Sequence, residues 1–95
     1  MLMGKVIGTV VSTQKDYRLE GLKLLLVEQV TPEIDLKGST VVAVDSVGAG
    51  TGEIVLYSAG SSARLTDITE NKPVDTVIVA IVDTVEKDGK VTYQK

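Results

Sequence analysis

The stretch Asp45-Ser46-Val47-Gly48-Ala49-Gly50-Thr51-Gly52-Glu53, followed closely by Gly60-Ser61-Ser62-Ala63-Arg64, organises the reading of this chain. Three glycines within five residues separate two apolar, strand-like runs at 41–44 and 54–57. Such a loop permits positive φ and close backbone approach to a phosphate, a pore axis or a neighbouring chain. A dinucleotide fingerprint is rejected by the spacing. Glu53 stands where the third glycine belongs, and no amphipathic helix follows. A phosphate-cradling P-loop fails too, because no Gly-Lys-Ser/Thr closes the segment. The sequence therefore points to no cofactor.

Around this loop the chain reads as short strands punctuated by turns. Residues 5–13 are β-branched and alternate, with Val6, Gly8 and Val10 on one face and Ile7, Thr9 and Val11 on the other. Residues 14–21 form a polar connection. The apolar run 22–30 fits a strand, although Leu19, Leu22, Leu26 and Val30 also fit a helical stripe. Gly21 weakens a helix start and Thr31-Pro32 supplies a turn signal, which favours the strand. Residues 40–45 and 53–58 give the third and fourth strands, and 60–65 a single helical turn. A fifth strand is expected over 75–86. Lys87-Asp88-Gly89-Lys90 then turns a hairpin into a short strand at 91–93. The expected architecture is all-β, a single domain over 1–95: a five-stranded OB-like barrel with one helical turn and a C-terminal hairpin.

Two runs, 24–27 and 77–82, are apolar at both parities. A strand with one wet face should alternate; a strand covered on both faces need not. The barrel interior accounts for one face only. Neighbouring subunits are one cover for the other, and the segment 60–72 with the terminal hairpin is the intramolecular alternative.

Composition narrows the chemistry. With no histidine, a Ser-His-Asp arrangement through Ser61 or Ser62 is impossible. Gly-Ser-Ser more often opens a helical turn with a serine capping free N–H groups. Arg64 then reads as a surface or interface cation suited to a carboxylate on another chain. Asp45, Glu53, Asp75 and Asp83 match no calcium loop and read as solvated or salt-bridged acids, so no metal and no catalytic set is expected. Having no cysteine suits a cytosolic protein. An OB-like module for single strands would want a basic groove with stacking aromatics. This chain offers only Tyr17, Tyr57 and Tyr93 and a net charge of −3, so no nucleic-acid partner is expected. No stretch approaches the roughly 18–20 apolar residues of a membrane span, and residues 1–11 lack a signal-peptide pattern. The expectation is a soluble, intracellular protein that is not an enzyme.

Several segments together resemble one family. They are Gly4-x-Val6-x-Gly8-x-Val10-Val11, Leu19-Glu20-Gly21-x-Lys23-Leu24-Leu25, Asp45-x-Val47-Gly48-Ala49-Gly50-x-Gly52-Glu53-x-Val55, Gly60-Ser61-Ser62-Ala63-Arg64 and Pro73-Val74-Asp75. In this order they are similar to the EutN/CcmL vertex proteins of bacterial microcompartments. The likeness covers Gly4 to Asp83 and leaves out 31–37 and the last residues. It implies a structural shell protein in the bacterial cytoplasm, a homopentamer at the vertices of a shell, with hexagonal shell proteins as partners. It also implies that Asp45, Gly48, Ala49, Gly50, Thr51, Gly52, Glu53, Ser61, Ser62 and Arg64 lie near subunit contacts or a pore on the ring axis.

Overall fold

The computed structural model describes residues 1–95, and the β-branched alternation at the amino terminus becomes strand β1, Leu2–Val10. It continues through β2 (Leu24–Val30), β3 (Leu36–Asp45), β4 (Ile54–Ala59), β5 (Thr76–Ile81), β6 (Thr84–Lys87) and β7 (Lys90–Gln94). Short 3-10 turns at Tyr17–Leu19 and Gly60–Arg64 are the helical pieces. Strands β1 to β5 close a barrel in the order β1-β2-β3-β5-β4, and β6-β7 form a separate two-stranded sheet. Only the β3–β5 contact is parallel; it is short, with Val44 opposite Val77 and Asp45 opposite Ile78. The expected five-stranded OB-like barrel is thus the fold.

The run 22–30 is a strand because a barrel rewards period two. Leu25 and Val27 point inward and are wholly buried, each worth about 1.5–3 kcal/mol of apolar burial. A helical stripe through Leu22, Leu26 and Val30 would have left both off the buried face. Inside the barrel they meet Val6, Ala43, Val55, Tyr57 and Ile78. Gly4 belongs to this interior as well. A Cβ there would stand 2.6 Å from Val27 Cγ1 and 2.8 Å from Tyr57 Cε1, so only glycine fits the gap.

Three sequence expectations need correction. First, β1 lies three residues earlier than 5–13, and its faces are not those of simple alternation. Val6 pairs with Val27, but Gly8 pairs with Leu26 and Val10 with Leu24, so a bulge at Ile7 changes the parity. Val10 therefore lies opposite Leu24, away from the interior that takes Val6. Second, the strand expected over 75–86 is two strands. β5 stops at Ile81, Val82 N–H still donates to Ile54 O (2.8 Å), and Thr84 begins the hairpin. The apolar pattern gave no sign of this break. Third, β3 starts at Leu36 rather than 40, because a glycine kink at Gly38 interrupts the ladder without ending it. Its N–H donates to Glu28 Oε2 at 2.8 Å.

The expected hairpin turn forms at Asp88-Gly89, and both residues have positive φ (53° and 77°), as in a type I′ turn. The helical turn after Gly60 also forms.

The outer face is covered unevenly. Ala63 in the Gly60–Arg64 turn packs on Val44 and Val77, with Leu22, Leu24, Val74 and Val79 around them. Intramolecular cover by the segment after Gly60 is therefore real. The terminal hairpin, in contrast, adds no residue to either apolar cluster. Val42 remains 47% exposed on the outer side of β3.

Candidate functional site

The glycine-rich loop is folded by its two flanking carboxylates. Asp45 ends β3 and is buried; its Oδ1 accepts from the N–H groups of Val47 (3.0 Å), Gly48 (3.1 Å) and Ala49 (3.1 Å). Lys23 Nζ stands 3.6 Å from Asp45 Oδ2 and donates to Ala49 O at 2.9 Å. This draws Ala49, fully buried, into the barrel interior as a plug. At the other end Glu53 Oε1 accepts from Gly50 N–H (2.6 Å), while Oε2 meets Lys95 Nζ at 2.7 Å. The Lys95 ammonium first, and the Gly50 N–H second, hold the Glu53 carboxyl below the usual carboxylate range. Lys95 is correspondingly pushed up by its bond to Glu53.

The loop is also tied to two strands, β1 and β5. Gly52 N–H donates to Val6 O (2.8 Å), Val6 N–H to Glu53 O (3.0 Å), and Ser46 Oγ to Ile78 O (2.5 Å). Gly48 and Gly52 have φ of 80° and 91°, a region that a side chain rarely adopts. Gly50 does not, and a Cβ there would sit 3.5 Å from Glu53 Oε1, an ordinary contact. Two of the three glycines are thus required by backbone sign. Thr51 is exposed at the tip.

The Gly60–Arg64 turn is built differently. No side chain caps its first residues. Ser62 Oγ instead donates to Ala59 O (3.1 Å), so the expected serine cap is replaced by a hydroxyl turned back on the chain. Ser61 and Arg64 are exposed; Arg64 Nη1 donates to Val74 O at 3.2 Å and makes no ion pair within the chain. The loop leads into β4 at Ile54 and the turn leaves it after Ala59. The ten residues singled out from the sequence are therefore brought together in two groups, one at each end of β4, and not in a single site. The acids Asp45, Glu53, Asp75 and Asp83 do not gather either, and no cluster of three metal-ligating side chains forms.

Sequence reasoning missed an apolar groove on the outer face. Two clefts of about 430 Å³ and 210 Å³ meet at Leu24. Val10, Leu22, Lys15 and Lys23 are among the residues lining the larger, and Val42, Val44 and Val74 line the smaller. The two-faced apolar run 24–27 was its trace in the sequence. The contributions of Lys23 and Lys95, far along the chain from the loop they hold, left no such trace.

Comparison with known proteins agrees with the geometry of the chain as a whole. Residues 1–83 match the family described as "Ethanolamine utilisation protein EutN/carboxysome". The bacterial microcompartment shell vertex protein GrpN of Rhodospirillum rubrum (strain F11) is 55% identical over 86 residues, covering 90% of this chain and 97% of GrpN. The solved structure of CcmL from Nostoc sp. PCC 7120 is 50% identical, covers 100% of both chains and superposes with a TM-score of 0.95. A structure of GrpN from Rhodospirillum rubrum, described as a pentameric microcompartment shell protein, is 54% identical. It covers 92% of this chain and 98% of its own, with a TM-score of 0.81.

Proposed function

This chain belongs to the EutN/CcmL family, and on that premise we propose that it is a structural shell protein whose five copies close into a ring capping the vertices of a bacterial microcompartment. The observation that carries this reading is identity of 50–55% to named shell vertex proteins over nearly the whole chain. The description of GrpN as pentameric supports five as the number.

The mechanism is geometric. A flat sheet of six-fold tiles does not close, so a polyhedral shell needs five-fold units at its corners. Each copy must offer one patch to a different, complementary patch on the next, with a rotation that closes the ring. The open outer groove around Leu24 is apolar, as the buried centre of such a patch requires. The Gly48–Glu53 loop and the Gly60–Arg64 turn lie near the subunit contacts or the ring axis in this reading. Arg64, with one backbone hydrogen bond inside the chain, serves a carboxylate on the adjacent copy. The work is done by the interface and no bond is made or broken. The partners are a ring of its own kind and the hexagonal shell proteins of a bacterial cytoplasm.

The direct test is to assemble hexagonal shell proteins with and without this chain and image the products by electron microscopy. Closed polyhedra with the chain, and open tubes or sheets without it, are expected. Equally closed particles in both would overturn vertex capping.

A further inference from the structure

The β6–β7 hairpin joins neither the barrel nor either apolar cluster. A two-stranded ribbon is marginal in water by itself, so contacts outside it must hold it in place. At its base, Lys95 Nζ meets Glu53 Oε2 at 2.7 Å, while Lys95 N–H donates to Asp83 O at 2.8 Å. Farther along, Lys87 Nζ meets Glu33 Oε1 at 2.9 Å and Thr92 Oγ1 donates to Pro32 O at 2.6 Å. The Lys95 side chain grips the glycine loop, and Lys87 and Thr92 grip the connection between β2 and β3.

We propose that the β6–β7 hairpin is a strap, latched at Glu53, that braces the glycine loop against the β2–β3 connection. Glu53 is the positioning residue, because one carboxylate serves both parties: Oε1 holds Gly50 N–H inside the loop and Oε2 holds Lys95 on the strap. A glutamine there keeps an oxygen for Gly50 and loses the charge that holds Lys95. Single exposed ion pairs contribute little. The strap therefore depends on its two ends together, and releasing both should free it.

The test uses the full chain in three forms: wild type, Glu53→Gln, and Lys87→Ala combined with Lys95→Ala. Amide hydrogen exchange is read on each. In the double variant, exchange at residues 85–94 should rise about tenfold or more, which corresponds to about 1.4 kcal/mol of lost protection. Glu53→Gln should speed exchange both in the strap and at residues 50–53. Wild-type protection of the hairpin in both variants would overturn the latch.

Discussion

The glycine loop and the Gly60–Arg64 turn look alike in sequence, both small-residue segments ending in a charge, yet the fold treats them oppositely. The loop's polar groups are used internally: Asp45 takes three N–H groups, Glu53 takes one more and Lys95, and Ala49 is sealed in the barrel. The turn spends only Ala63 on the core and leaves Ser61 and Arg64 at the surface. A loop so thoroughly self-satisfied shapes a barrel end and presents a fixed surface there. A turn whose exposed guanidinium makes a single backbone hydrogen bond has something left to give a neighbour. Residues of the first kind should be read out as stability, those of the second as association.

The largest effect should come from Asp45→Ala, which leaves three N–H groups without their acceptor, the one on Ala49 buried. A loss of about 2–3 kcal/mol is expected, measured by urea denaturation at fixed protein concentration; a loss near zero would erase the distinction between the two segments. Next, Gly48→Ala should cost about 1–2 kcal/mol because its φ is 80°. Gly50→Ala, with ordinary φ and only an ordinary contact for the new Cβ, should cost less than 1 kcal/mol. Equal costs at the two glycines would break the account of the loop. Arg64→Ala should change monomer stability by no more than about 0.5 kcal/mol and yet weaken the ring on dilution. An unchanged oligomer at nanomolar concentration would remove Arg64 from the interface.

The smallest effect is a pH dependence. The Glu53 carboxyl is held below its ordinary range in the fold, by Lys95 first and Gly50 N–H second. Its contribution is therefore fully present above the ordinary carboxylate pKa and is lost as pH falls through the lowered folded value. The Tm difference between wild type and Glu53→Gln should shrink as the buffer is taken from neutral into that acidic range. A difference that does not change would mean the Lys95 contact adds nothing.

Local pattern carried much of this. The two-faced apolar runs signalled strands with an apolar outer face, and Lys87-Asp88-Gly89-Lys90 marked the hairpin turn. The parity change at Ile7 and the break after Ile81 were invisible because they arise from closing the barrel, where one extra residue re-aims a strand. The division of the ten candidate residues between the two ends of β4 was hidden too. Two segments seven residues apart sound adjacent, but a strand between them holds them apart. Lys23 and Lys95 reach the loop from elsewhere in the chain, and no local spacing encodes such a contact. The family likeness supplied the proposed vertex role, which fold alone would not have decided.

Native mass spectrometry of the purified chain, over a range of concentrations, tests the central claim most directly. A species of about 50 kDa, five times the 10.1 kDa chain, is the predicted result. A chain that stays monomeric at the highest concentration would contradict the vertex account.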